Sequence, residues 1–223
     1  RTLPDALKAV RYIDEMEGRV RLDRGFERQR GSMKAVFDTF LQEISSAKNR
    51  KSLDAAYQKA SAALSAVALD KPETPLRVGI VGEYYTVMDD FGNHNVEQIL
   101  GYMGRGVEIH RWMTFTHRNL EYDEQADLQT IAPYVRYSMG PTTSATLAGA
   151  IRYADAGFDG IVHVKSFGCT PEVDAMAVLQ NISADRGIPI LYLSYDSQTG
   201  DAGIQTRLEA FYDMIDMKRR KQP

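Results

Sequence analysis

Two kinds of hydrophobic pattern divide the chain near residue 75. In the first part the apolar positions recur every three or four residues. Leu53, Tyr57, Ala60 and Leu64 lie 4, 3 and 4 apart, one face of a helix, with Ser52 before them as the expected N-cap. Met33, Val36, Phe37, Phe40, Leu41 and Ile44 draw a second stripe, and residues 4–17 a third. Such stripes predict core-facing helices. Asp70-Lys71-Pro72-Glu73-Thr74-Pro75 follows, and its prolines stop any helix and make a short linker.

Beyond Pro75, short apolar runs alternate with helical stretches. Leu76–Val81, a stretch within Val107–Phe115, Gly160–Val164 and Ile188–Ser194 predict strands. Helices are expected at Val96–Met103 and at about 143–156, 171–186 and 203–219, with another around 123–136 interrupted near Pro133. Strands alternating with helices imply a parallel sheet covered on both faces. The expected fold is therefore α/β: a Rossmann-like, mostly parallel sheet over residues 76–223, preceded by a helical subdomain over residues 1–70.

Composition sharpens this division. Residues 1–75 carry 14 Lys/Arg, 11 Asp/Glu and three glycines, whereas residues 76–223 carry 13, 19 and fourteen. Glycine gathers where chains turn tightly or approach a ligand, so the second region should hold the strand–loop–helix junctions. The whole chain has 223 residues and a net charge of -3, which argues against general nucleic-acid binding. No apolar run approaches the ~20 residues needed to span a bilayer, and the cytoplasm is the expected compartment. The single cysteine, Cys169, excludes an internal disulfide framework and a complete cysteine-built metal cluster from this chain alone. The sequence begins at Arg1 rather than Met, and Thr2-Leu3-Pro4 already resembles the start of a helix, so it is expected to be a piece of a longer polypeptide.

In open parallel sheets, ligands collect beyond the carboxyl ends of the strands. Three polar, small-residue loops meet that description: Gly82-Glu83-Tyr84-Tyr85-Thr86, Lys165–Glu172 and Tyr195–Gly203. The first is neither a phosphate loop nor a dinucleotide fingerprint, and Gly101-x-x-Gly104-x-Gly106 ends a helix instead of opening one. Gly140-Pro141-Thr142-Thr143-Ser144 opens a helix and is expected to be an ordinary cap. In the second loop Cys169 precedes Thr170-Pro171-Glu172, placing its thiol at a helix N-terminus where the dipole favours a thiolate. The alternative is a buried cysteine acting as a small hydrophobe. In the third loop Asp196 sits at a strand end, and Arg207 lies near the start of the expected helix Thr206–Met217. A cation there calls for an anionic ligand, or for a structural pair with Glu172 or Asp196. His163 falls in an apolar strand and reads as a core histidine, leaving His94 as the one candidate site histidine. Lys218-Arg219-Arg220-Lys221 reads as a solvated helix end.

Cys169, Gly187–Leu193, Asp196, Gly203 and Thr206–Phe211 together resemble the 2-hydroxyacyl-CoA dehydratase and benzoyl-CoA reductase family. Phe167-Gly168-Cys169-Thr170-Pro171-Glu172 with Ser194–Gly200 is similar to the carboxyl-terminal, dehydratase-like region of CoA-substrate-specific enzyme activases. There, such a module follows ATPase modules of the acetate kinase/actin type. The resemblance covers residues 158–217 and, less closely, 76–115. It implies a [4Fe-4S] cluster in the full-length parent, held by cysteines from several domains, with Cys169 matching the last of them. The other cysteines and the ATPase module have no counterpart here, so this stretch is expected to hold no cofactor and to be inactive alone. On this reading Cys169 is the metal ligand, and Glu83, Tyr84, Gly168, Thr170, Asp196, Gln198 and Arg207 are the cofactor-binding candidates. The expected partners are a CoA-thioester enzyme or other domains of the parent, with neither nucleic acid nor membrane. Two other readings stay open. One is a non-catalytic interaction or small-ligand module that kept the fold; the other is a thiol enzyme with Cys169 as nucleophile and His94 as base. All of them expect the thiol and the Asp196 turn to face one crevice on one edge of the sheet.

Overall fold

The computed structural model describes residues 3–221; Thr2 of the expected helix start lies outside them, as do Arg1, Gln222 and Pro223. Three helices come first: α1 (Leu3–Asp23), α2 (Ser32–Ser46) and α3 (Arg50–Ser65). Their stripes meet in one cluster built on Met16, Val20, Met33, Phe40, Ile44, Leu53 and Leu64. α1 runs six residues past the expected end at residue 17, because Val20 and Arg21 are also buried. The N-cap of α3 is Asn49, not Ser52. Asn49 Oδ1 accepts the Ser52 N–H at 2.9 Å, and Ser52 Oγ accepts the Asn49 N–H at 3.2 Å, a reciprocal capping box. Asn49→Ala should lower stability by roughly 1 kcal/mol in urea denaturation. Ser52→Ala, which keeps the Asn49 acceptor, should cost less.

The second part is a four-stranded, all-parallel sheet in the order β2-β1-β3-β4, from β1 (Leu76–Gly82), β2 (Val107–Arg111), β3 (Gly160–Ser166) and β4 (Ile190–Tyr195). Helices α4 (Tyr84–Met88), α5 (Val96–Gly101) and α9 (Asp201–Lys221) cover one face. Their Val87, Val96, Leu100, Leu208 and Phe211 meet Val78, Ile80, Val162 and Val164 of the strands. Helices α6 (Glu124–Ile131), α7 (Pro141–Asp155) and α8 (Thr170–Arg186) cover the other, closing Leu147, Ile151, Leu179 and Ile182 over Val81 and Ile161. Successive strand residues thus serve opposite faces, as the pleat requires. This is the expected Rossmann-like α/β arrangement. No helix among the described residues is long and apolar enough to cross a membrane.

Several boundaries differ from the sequence pattern. α4 was not expected, and α6 stops at Ile131, before Pro133, with a wide π-type turn, His117–Glu121, ahead of it. α9 begins at Asp201, so Arg207 sits in its second turn instead of at its start. The hydroxyls at the start of α7 do not cap it: Gly140 occupies the N-cap, and Thr143 Oγ1 reaches across to donate to the Pro171 carbonyl at 3.0 Å.

The two parts are joined by a buried ion network that the hydrophobic pattern does not show. Glu97 of α5 meets Arg111 of β2 at 3.2 Å and Arg21 of α1 at 3.7 Å, and Glu17 of α1 pairs with Arg111 as well.

Candidate functional site

β1 and β3 lie side by side, but the chain leaves them in opposite directions: β1 feeds α4 and α5 on one face, and β3 feeds α8 on the other. Diverging loops open a crevice at such a switch point. Gly82 makes the close approach possible. Its φ is +139°, and a Cβ there would lie 1.9 Å from the Val164 carbonyl oxygen. That same oxygen accepts the Glu83 N–H at 3.0 Å.

A cleft of about 760 Å³ opens on this edge, lined among others by Glu83, Asp89, His94, Ser166, Tyr195, Asp196 and Asp201. Each polar group has a local reason for its place. Glu83 caps α4, accepting the Tyr85 and Thr86 N–H groups at 3.1 and 2.9 Å. Buried Asn93 pins the next loop, donating to the Thr86 carbonyl at 2.9 Å and accepting the Val96 N–H at 3.2 Å. That loop forces His94 and Asn95 to φ of +57°, a costly conformation for non-glycine residues. There the His94 ring stacks on Tyr195 at 5.4 Å, and its Nδ1 lies 2.5 Å from Asp201 Oδ1 at the start of α9. Asp196 folds its own turn, accepting the Gln198 N–H at 2.8 Å. The lining holds four carboxylates, Glu83, Asp89, Asp196 and Asp201, and neither lysine nor arginine. Such a field disfavours phosphates and favours neutral or cationic groups.

Cys169 sits on the same edge. Tyr195 and Ser166 are paired in register, and the Phe167 N–H donates to the Tyr195 carbonyl at 2.8 Å, so the Cys169 and Asp196 loops are neighbours. The thiol is half-buried at the N-cap of α8 and stands outside the cleft lining. Burial pushes it above the ordinary cysteine range; the Glu172 backbone N–H and Lys165 oppose this, while the Glu172 and Glu83 carboxylates reinforce it. This corrects the expectation of a favoured thiolate: desolvation outweighs the helix terminus. Alkylation of Cys169 by iodoacetamide should accordingly be slow at pH 7 and accelerate only above about pH 8.5. A rate already at its plateau at pH 7 would contradict that.

The other candidates are dispersed. Tyr84 turns away from the cleft, with the Arg118 guanidinium 4.6 Å from its ring centroid. Gly168, Thr170 and Gln198 are exposed outside the lining, and nothing lies within 4 Å of a Cβ built on Gly168. Arg207 pairs with neither Glu172 nor Asp196; it donates to the Tyr192 carbonyl at 2.5 Å. Glu172 is instead fully buried, 2.7 Å from His163 Nε2 and 3.0 Å from Thr146 Oγ1, and so ties α8 to β3 and α7. That satisfies one nitrogen of the expected core histidine, while its Nδ1 has no partner among the described residues. His94 is engaged by Asp201, and no hydrogen bond joins it to Cys169 among the described residues, which leaves a cysteine nucleophile without its base.

A family model for the D-component of 2-hydroxyglutaryl-CoA dehydratase matches residues 50–215. The chain belongs to this dehydratase family. The match takes in α3, all four strands, the cleft and most of α9. No curated protein matches the chain. An iron–sulfur cluster, which the resemblance to dehydratase subunits implies, is held mainly by several cysteine thiolates. This chain has one cysteine, and no group of three or more His, Cys, Asp or Glu among the described residues is arranged to hold a metal.

Proposed function

We propose that this chain is the dehydratase-like part of an activase-related cytoplasmic protein. In this reading Cys169 supplies one ligand to an iron–sulfur cluster completed by cysteines of other domains or of a partner subunit. The cluster would serve ATP-driven electron transfer to a CoA-thioester enzyme. One observation carries the reading: the lone thiol stands at the N-cap of α8, beside the switch point of the sheet, on a loop with open space at Gly168 and an exposed Phe167. A single protein donor at an open edge suits a site closed by another surface. Burial of that surface would also replace the solvent that now reaches the Phe167 ring.

The test is iron content after anaerobic expression of the longest polypeptide that contains this chain, with its partner subunits. Cys169→Ser should lower iron per chain substantially. Unchanged iron would remove the ligand role. It would leave the second reading, a small-ligand or interaction module, which the position of the cleft favours: its lining is built around His94, Asp201 and Tyr195 and not around the thiol.

A further inference from the structure

A second concavity has the opposite character. It measures about 320 Å³, lies between the start of α2 and the end of α5, and is lined by Arg24, Arg30, Gly31, Lys34, Gln98 and Tyr102. Three cationic side chains converge there. Arg24 forms no ion pair among the described residues, and its stem lies close enough to Gly101 that a Cβ on that glycine would touch it at 3.5 Å. Arg30 also lacks an ion pair there; its guanidinium carbon lies over the Tyr102 ring, 4.9 Å from the centroid, and it donates one Nη2 bond to the Tyr102 carbonyl at 3.2 Å. The rest of its guanidinium fork remains open.

The acidic neighbours are otherwise engaged. Glu27 is buried and accepts the Met33 N–H at 2.8 Å, the Gly31 N–H and the Tyr102 hydroxyl, so it caps α2 from within. Asp38 pairs with Lys34 at 2.6 Å, and both are substantially exposed. Asp90 acts on Arg24 only through its field. Two guanidinium groups without an ion-paired carboxylate, one of them over an aromatic ring, form a donor set matched to a doubly charged tetrahedral oxyanion. The volume admits such a group with one attached ring.

We propose that this pocket binds a phosphate monoester, with Arg24 and Arg30 as the recognition pair and Lys34 as an auxiliary cation. The acidic cleft on the carboxyl edge is unsuited to that group, so the two concavities divide the ligand chemistry between them. The proposal rests on no part of the cluster reading.

The experiment is titration of the ¹⁵N-labelled full chain with inorganic phosphate and, separately, with AMP. Saturable shifts are expected at the Gly31 amide and at the Arg24 and Arg30 Nε–H groups, with AMP competing for the site of phosphate. Arg24→Gln and Arg30→Gln should each weaken binding by roughly tenfold. Added sodium chloride should weaken it further. Arg30 is exposed, so its variant should keep the wild-type melting temperature and report on binding alone. Absence of saturable shifts up to roughly 20 mM phosphate would overturn the proposal. So would shifts confined to the carboxyl-edge cleft, or affinity unchanged in both variants.

Discussion

Replacing Glu97 with alanine is expected to lower the unfolding free energy by roughly 3–5 kcal/mol. Glu97 is 3% exposed and holds two guanidinium groups, Arg111 at 3.2 Å and Arg21 at 3.7 Å. Without it Glu17 would be the one carboxylate left ion-paired to both cations among the described residues, and Arg21 Nη1 and Arg111 Nε already lack a hydrogen-bond partner there. A buried cation stripped of its counter-charge costs more than the pair contributes when intact. Glu97→Gln keeps the shape and one acceptor and should cost less. The effect should reach the cleft too, because Glu97 lies two residues beyond the strained His94-Asn95 turn and fixes the helix into which that turn leads. Urea denaturation of the three proteins measures this, and a loss below about 1 kcal/mol for the alanine variant would contradict the network.

The second large effect is expected at Gly82. Alanine there meets two obstacles together: a φ of +139°, which side chains rarely adopt, and a Cβ placed 1.9 Å from the Val164 carbonyl oxygen. The obstructing atom is backbone in a central strand, so it cannot swing aside. It also accepts the Glu83 N–H, the bond that closes the end of β1 onto β3. Gly82→Ala should therefore cost at least about 3 kcal/mol and displace Glu83 from the cleft. Gly168→Ala is the matched control on the neighbouring loop, where φ is not positive and no atom lies within 4 Å of the new Cβ. It should stay within roughly 0.5 kcal/mol of wild type, as surface substitutions usually do. Equal stabilities for the two variants would refute the close approach at the switch point.

The sheet was legible because its central strands are mostly buried on both faces, so Leu76–Val81 and Gly160–Val164 read as apolar runs broken only by Arg77 and His163. The same reasoning fixed the carboxyl edge as the place to look, and it found Glu83, Asp196 and the neighbouring Cys169 loop there. What it missed depends on pairing at a distance. Glu17, Arg21, Glu97 and Arg111 look in sequence like solvated charges; only the contact between α1, α5 and β2 makes them a buried network. The link between His94 and Asp201 spans 107 positions, and no local pattern announces it. Arg207 was misplaced because α9 starts earlier than its apolar stripe, at the polar residue Asp201. The thiol was misjudged for a different reason. A helix terminus is visible in the letters Cys-Thr-Pro-Glu, but the burial that outweighs it is not.

Low-temperature EPR of the dithionite-reduced protein, in the longest polypeptide that contains this chain and with its partner subunits, tests most directly whether this edge of the sheet carries the chemistry. Wild type should give the signal of a reduced iron–sulfur cluster, Cys169→Ser should abolish or reshape it, and Asp201→Asn, which alters the cleft but not the thiol, should leave it intact. Identical spectra from wild type and Cys169→Ser would contradict the account.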